Sequence, residues 1–398
     1  MMHVFLNGLA ASAGGGVTYL RNVVPHLATC AGVRTTVLLS SRLRQEFEEA
    51  GNVSLLELKG RGGAAWRSYQ EQKLLPGLVR KSRAEVLIST GNFALRNCPV
   101  PQVLLSRNSL YTSADFFHDL RARHAYGLWL DTRAKGILAR RSVRWADCTV
   151  APSQAFADEL QRWTGRKVVA IHHGFDREAF FRDSTPLPPQ IQQPLDSPQN
   201  ALRVLFVSHY NYYRNFETLL RAVPLLQERL GPRPVKLVLT CKLGFEDNPG
   251  PYRAETASAL VSRLGIRGNV VELGTVPYHW LHHLYRACDV YAAPAYAESF
   301  AHPLVEAMAS GLPVVASDLP VHREICGEAA RYFPRFSAES LTEEIARIAL
   351  SEGLARTMAE RGLQRSRDFS WSRHVQQLLD LAASLTKHSA KCVLARAG

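Results

Sequence analysis

Short apolar runs alternate with stretches of helical periodicity from one end of this chain to the other, and that alternation admits few folds. In the first half the runs are His3 to Asn7, Thr35 to Ser40, Val86 to Ser89, Gln102 to Ser106, Cys148 to Ala151 and Val168 to His172. In the second half they are Arg203 to Ser208, Val235 to Thr240, Val270 to Leu273, Val290 to Ala293 and Pro313 to Ser317. Strands separated by helices pair in parallel, with the helices covering both faces of the sheet. The predicted fold is therefore α/β, with two Rossmann-like units, since 398 residues exceed one ordinary core. Ser184 to Asn200 carries Pro186, Pro188, Pro189, Pro194 and Pro198 among glutamines and reads as a linker. The expected division is 1–183, a linker at 184–200, a second unit at 201–370, and a last helix with its tail at 371–398. Helices are predicted at Ser340 to Leu350, Leu354 to Arg367 and Trp371 to Leu385, with a loose tail from Lys387.

The segment Glu298-Ser-Phe-Ala-His-Pro-Leu-Val-Glu306 places two carboxylates around a helix start. Pro303 has a fixed φ and no N–H, which suits the first turn, and Gly311 can take the left-handed conformation that closes a short helix. Free N–H groups from Ser299, Phe300, Ala301 and His302, together with the helix dipole, would attract an anion such as a phosphate. Glu298 and Glu306 on either side could accept hydrogen bonds from hydroxyls. A phosphate with a polyol at each end is a nucleotide sugar. The plain alternative is a pair of surface glutamates at a helix edge.

With Pro303, Ala307-Met308-Ala309, Gly311 and Pro313-Val-Val at fixed offsets, this Glu-x7-Glu segment resembles the donor site of retaining glycosyltransferases of family 4, which have the GT-B fold. The resemblance implies two Rossmann-like domains facing across a cleft, with the C-terminal helix crossing back onto the first. It implies a nucleoside diphosphate sugar (UDP- or GDP-sugar) as donor, a glycan or lipid-linked acceptor hydroxyl, retention of anomeric configuration, and no cofactor or metal. Glu298 would hold sugar hydroxyls, Leu304 would line the site, and Glu306 would hold the ribose diol. Domain closure would bring the first domain's loops against the donor.

Other segments fall into place beside that motif. Gly14-Gly15-Gly16 follows the first strand and precedes a helical pattern, so backbone can pass close to a ligand there. It is not G-x-G-x-x-G, and no acidic residue follows Val37-Leu-Leu-Ser40, which argues against a nicotinamide cofactor. In the resembling family a Gly-Gly loop at this place lies against the donor diphosphate. Family members carry Arg, then Lys-Asn five positions later, after the first strand of the second domain; here His209, Arg214 and Asn215 hold those places. A cation there stabilises the charge left on the β-phosphate, so Arg214 is the leading phosphate ligand, while His209 departs from the pattern. The family has His before Asn near the transferred sugar; Arg107 stands in the His position and Asn108 is retained, so Glu298, Arg214 and Asn108 are the candidate catalytic residues. Ser89-Thr-Gly-Asn92 is a further polar turn on the acceptor side. Gly274-Thr275-Val276-Pro277 resembles the loop that receives the nucleobase through backbone groups. His172-His173-Gly174 reads as structural, Gly174 allowing a sharp turn. His279, His282 and His283 have zinc-like spacing on a helix but nothing to complete a site.

Composition narrows the remaining classes. The net charge of +13 calls for an anionic partner. The expected one is a phosphorylated substrate, with an anionic membrane surface as a second, and not nucleic acid. The stretch Arg121 to Arg144 gathers Arg121, Arg123, Arg133, Lys135, Arg140, Arg141 and Arg144 with Tyr126, Leu128, Trp129, Leu130, Ile137 and Leu138. A basic amphipathic helix of this kind either lies on anionic headgroups or packs by its apolar face. No apolar run approaches the ~20 residues that span a bilayer, and Met-Met-His-Val-Phe-Leu reads as a strand rather than a signal peptide. The expected location is cytoplasmic, peripheral on the inner membrane face if the helix binds lipid. Seven scattered cysteines predict neither disulfides nor structural zinc. Two rival classes stay open: a nucleotide-sugar epimerase or phosphorylase, and a non-catalytic anion- or membrane-binding protein. A phosphorylase needs a pyridoxal-bearing lysine, and none lies between Ala287 and Leu350.

Overall fold

Every strand run read from the sequence forms a strand, and all of them pair in parallel. The computed structural model describes residues 1–11, 15–59, 66, 69–196, 198–244, 247–248 and 251–394, with side chains to 387. Two units are distinguished: Met1–Thr112 with Leu130–Gly174 and Ser370–Gly398, and Ser113–Trp129 with Phe175–Phe369.

The first unit carries β1 (Met2–Asn7), β2 (Val33–Ser40), β3 (Val53–Leu58), β4 (Val86–Ser89), β5 (Gln102–Leu105), β6 (Cys148–Ala151) and β7 (Val168–Ala170). Their order is β3-β2-β1-β4-β5-β6-β7, the Rossmann order with one strand added. Residues of β4 and β5 such as Leu87, Ile88, Val103 and Leu104 are fully buried, as strands covered on both faces must be. Strand β3 escaped the sequence reading because it is a half-exposed edge with a mixed pattern, Val-Ser-Leu-Leu-Glu-Leu.

The last helix, Trp371–Leu394, belongs to this first unit. Trp371, Val375, Leu378, Leu379 and Ala382 share one core with Tyr19, Leu20, Val23 and Leu27 of helix Gly15–Thr29. At 24 residues the helix extends to Leu394, into the stretch from Lys387 expected to be a loose tail. A buried polar link fixes it. His374 Nδ1 lies 2.8 Å from the His172 carbonyl, which only accepts, so Nδ1 carries the proton and Nε2 accepts from the Tyr19 hydroxyl at 2.9 Å. Burial pushes the His374 imidazole down to about 4, keeping it neutral. His173 stacks into the same aromatic group. Gly174 is needed for close approach rather than for a sharp turn: a Cβ there would sit 2.0 Å from the Trp371 nitrogen.

The second unit carries β8 (Leu202–Phe206), β9 (Val235–Leu239), β10 (Val270–Glu272), β11 (Val290–Ala293), β12 (Val314–Ser317) and β13 (Ala330–Phe333), in the order β10-β9-β8-β11-β12-β13. It takes in more chain than the sequence division gave it. Helix Ala114–Ala122, capped by Ser113, packs here with Phe116 buried edge-on to Tyr213. Arg123 pairs with Glu217 at 2.8 Å and lies over the Tyr212 ring, and Asp115 accepts from Arg335 Nε at 2.7 Å. The Pro/Gln-rich stretch expected as a linker holds a helix, Pro189–Asp196, because Ile191 and Leu195 are one turn apart and both buried. The basic stretch Arg121 to Arg144 is split, with left-handed His124 between Ala114–Ala122 and Tyr126–Trp145. Among the described residues no helix is long and apolar enough to cross a membrane.

Candidate functional site

Open parallel sheets bind ligands beyond the carboxyl ends of their strands, where the strand order reverses. In the second unit that place lies between β8 and β11. The loop after β8 carries exposed His209, the turn Tyr212–Arg214, and Asn215. The loop after β11 runs from Pro294 to Ala301, ahead of the helix His302–Ala309. Backbone joins the two loops, since the Tyr296 N–H donates to the Tyr213 carbonyl at 3.0 Å. Asn215, in the left-handed region at φ 55°, donates its amide to the Pro294 and Arg335 carbonyls and accepts from the Thr218 hydroxyl. Expected among the ligand contacts, Asn215 is committed to holding these loops together.

That bracket brings Arg214 onto Glu298. Arg214 Nη1 donates to Glu298 Oε2, and Glu298 Oε1 accepts from the Ser299 N–H at 3.1 Å. Burial, the largest single effect, would raise the Glu298 carboxyl, but the charge of Arg214, together with nearby His322 and the hydrogen bonds from Ser299 and Arg214, outweighs it and holds the group below the usual carboxylate range. Arg214 is held fully charged by the same pair, despite its own burial. The Ser299 N–H, expected to face an anion, is spent on Glu298.

Glu306 stands in the opposite state. It is 7% exposed, its Oε2 accepts from the Tyr285 hydroxyl at 2.9 Å, and burial raises its carboxyl to about 7. The two glutamates of one motif are thus pushed apart, one ionised and one poised to titrate.

Ala301 forms the helix N-cap at φ 66°, ψ 66°, a left-handed conformation that costs a residue with a Cβ on the order of 1–2 kcal/mol. Glycine would adopt it freely, whereas a β-branched side chain would not. Ala301→Gly is expected to keep stability or raise it by up to about 1 kcal/mol, and Ala301→Val to lower it by about 2 kcal/mol or more, measured by urea unfolding. Equal stability of all three proteins would contradict the strain. Phe300 packs edge-on against Phe369 and beside the His302 ring, and Leu304 lines a small cavity with Arg214 and Glu298. On the loop after β10, Gly274 is left-handed, Thr275 exposed and Val276 buried.

The first unit gathers its own candidates at the carboxyl ends of β1, β4 and β5. Gly14 lies outside the described residues. Gly15 gives its carbonyl to Arg107 Nη1 at 3.3 Å, and Gly16 has Ala11 Cα 3.2 Å from where a Cβ would stand. Arg107 also donates to the Thr90 carbonyl at 2.5 Å and lies over the Tyr19 ring. Asn92, at φ 61°, accepts from the N–H groups of Arg107 and Asn108, so the polar turn after β4 shapes the loop after β5. The Asn108 side chain caps the turn Ser109–Tyr111 by accepting from the Leu110 N–H at 3.0 Å. His282, from the trio with zinc-like spacing, packs against Phe180 and Phe181.

Sequence reasoning missed several residues that build these places. Asp119 accepts from the Tyr296 hydroxyl at 2.7 Å, bringing helix Ala114–Ala122 onto the loop of Glu298. Glu71 accepts from Asn7 Nδ2 at the end of β1. His322, on helix Pro320–Cys326, borders the same cavity as Arg214. Its signal was its position just after β12, at the carboxyl edge of the sheet.

The chain is similar to known proteins in sequence and in fold. The family described as "Glycosyl transferases group 1" matches residues 189–365, and "Glycosyltransferase Family 4" matches residues 13–179. A D-inositol 3-phosphate glycosyltransferase of Corynebacterium aurimucosum is 26% identical over 64% of this chain and 60% of its own length. One of Salinispora tropica is 33% identical over 63% of this chain and 54% of its own. The O-antigen chain mannosyltransferase B of Escherichia coli is 27% identical over 44% of each chain. The matched part thus spans roughly half of these relatives. Among solved structures, sucrose-phosphate synthase of Thermosynechococcus elongatus superposes with a TM-score of 0.75 at 19% identity, covering 98% of this chain and 100% of that one. Anabaena Alr3699/HepE in complex with UDP does so at 0.70 and 19%, covering 97% and 100%. Its two Rossmann-like units, its Glu-x7-Glu segment and these matches place the chain in glycosyltransferase family 4, with the GT-B fold.

Proposed function

We propose that the protein moves a glycosyl group from a nucleoside diphosphate sugar to an acceptor hydroxyl with retention of anomeric configuration. The observation that carries this reading is the buried ion pair of Arg214 with Glu298 at the switch point of the second sheet, in one motif with a Glu306 poised near neutrality. Arg214 would face the departing diphosphate and offset its developing charge. Glu298, kept ionised, would accept hydrogen bonds from sugar hydroxyls, and Glu306 from the ribose diol. The Ser317 hydroxyl beside His322 is fully buried and donates to the Ala295 carbonyl rather than to the imidazole, and the Glu298 carboxylate is committed to Arg214, so neither is placed as an activated nucleophile. Attack from the same face, with the leaving phosphate taking the acceptor proton, suits such a site.

Calorimetric titration with a panel of nucleoside diphosphates tests this reading. Saturable binding to one of them is expected, weakened by Glu306→Ala. Glu298→Ala should leave that binding nearly intact and act on turnover. The reading fails if no nucleoside diphosphate binds.

The acceptor is best read as anionic or lipid-linked. The names of the relatives, an inositol phosphate glycosyltransferase and an O-antigen mannosyltransferase, support a phosphorylated polyol or a glycan, and the charge of +13 suits the former. Helix Tyr126–Trp145 supports attachment to an anionic membrane face. It buries its small residues, Thr132, Gly136, Ala139 and Ser142, and leaves Tyr126, Leu130 and Ile137 exposed beside Arg133, Arg140, Arg141 and Arg144. Apolar side chains among arginines match the interface of an anionic bilayer. The double variant Leu130→Glu, Ile137→Glu is expected to lower co-sedimentation with phosphatidylglycerol vesicles about tenfold. Unchanged co-sedimentation would remove this helix from membrane binding.

A further inference from the structure

His322 is fully buried on the helix after β12. Its Nδ1 lies 2.9 Å from the Ser317 carbonyl and 3.1 Å from the Ser317 hydroxyl oxygen. That hydroxyl donates its own hydrogen to the Ala295 carbonyl, so both neighbours of Nδ1 are acceptors. Nδ1 therefore carries the proton, and Nε2 presents a lone pair. Among the described residues Nε2 has no protein partner. Neither has the Nε–H of Arg214, a buried donor. Both residues line a cavity of about 10 Å³ together with Glu298, which is room for a single water. A buried donor and a buried acceptor, each unsatisfied by protein, cost free energy unless something joins them. A water that accepts from Arg214 Nε and donates to His322 Nε2 satisfies both.

We propose that His322 is a positioning residue of the donor site, holding the Nε edge of the Arg214 guanidinium through one buried water while Glu298 holds the Nη1 edge. This rests on the glycosyltransferase reading for its effect on catalysis, though not for its geometry. A guanidinium pinned at two edges cannot rotate about its own axis, so the charge facing the diphosphate and the carboxylate facing the sugar keep one arrangement. With Nε2 gone, the Glu298 hydrogen bond and the Tyr213 ring beneath the guanidinium remain, and nothing holds the Nε edge. The arginine then turns and takes the carboxylate with it.

Two measurements test the proposal. The first is kinetic. His322→Leu is expected to lower kcat about 10–100-fold, with KM for the nucleotide sugar changed less than about threefold, because misplacement acts on the reacting geometry. His322→Gln, whose amide oxygen reaches where Nε2 stood, should recover most of that loss. Wild-type kcat in His322→Leu, or a Gln variant as slow as the Leu variant, overturns the proposal. The second is nitrogen NMR of histidine-labelled wild-type protein, with the His322 signal assigned by its loss in His322→Gln. The Nδ1–H tautomer with an accepting Nε2 is expected at neutral pH; an Nε2–H tautomer overturns the geometry even if the Leu variant fails to fold. A protein that binds no nucleoside diphosphate would instead sink the donor-site reading, while the NMR result would still decide the His322 arrangement.

Discussion

Arg214→Ala is expected to lower turnover of the nucleotide sugar by about 10²–10³-fold, the cost of removing one preorganised group aimed at a developing negative charge. Two effects add. The departing diphosphate loses its fixed cation, and Glu298 loses the charge that holds its carboxyl down. Left buried without its partner, Glu298 would follow the burial effect and rise, so a group needed as a carboxylate would spend time protonated. Arg214→Lys returns the charge without the planar fork and should recover only part of the rate. Release of nucleoside diphosphate under single-turnover conditions is the appropriate readout, since it separates chemistry from product release. A variant within about threefold of wild type would mean that Arg214 does not face the reacting phosphate.

The second large effect is the pH dependence of nucleotide binding through Glu306. An unfolded glutamate ionises at 4.5, whereas burial raises folded Glu306 to about 7. Between those values the native state binds more protons than the unfolded chain, so stability falls as pH rises from 4.5 through 7 and levels off above. Above that window the buried carboxylate costs about 3 kcal/mol. A ribose diol donating to Glu306 requires that ionised form, so binding behaves in the opposite sense. Affinity for the nucleoside diphosphate is expected to be about tenfold weaker at pH 6 than at pH 8 from this group alone. The phosphate titrates too, and Glu306→Gln provides the comparison: it should bind weakly at both pH values, lack the Glu306 part of the dependence, and be more stable than wild type at pH 8. Identical pH profiles for wild type and Glu306→Gln would show that this carboxylate does not hold the ligand. Stability given up at a buried carboxylate is the usual cost of a working site.

Much of this was legible in the sequence because the evidence was local. Strands β1, β4 and β11 are continuous apolar runs, and the Glu-x7-Glu motif is one contiguous segment whose Pro303 and Gly311 mark the helix ends. Arg214 was singled out by the family resemblance, which expects a cation five positions after His209. What escaped depends on residues far apart in the chain. Helix Ala114–Ala122 belongs with the second unit because Phe116 meets Tyr213 and Arg123 meets Glu217, partners about a hundred residues away. The edge strands β3 and β13 are half-exposed and mix polar with apolar residues, so they lack the apolar signature of a central strand. Composition concealed the helix Pro189–Asp196, where two buried side chains outweigh the prolines around them. Asn215 and Asn108, expected at the ligand, also spend side-chain hydrogen bonds on backbone, which spacing alone does not reveal. His322 carries no motif; only the fold places it beside Arg214.

The most direct test of the donor assignment follows the anomeric signals by proton NMR as the purified protein slowly hydrolyses α-linked UDP- and GDP-sugars without acceptor. The expected result is release of nucleoside diphosphate from one donor, with the α-anomer of the free sugar appearing first and the reaction lost in Arg214→Ala. Appearance of the β-anomer first, or an undiminished rate in Arg214→Ala, would contradict a retaining transfer centred on Arg214, Glu298 and Glu306.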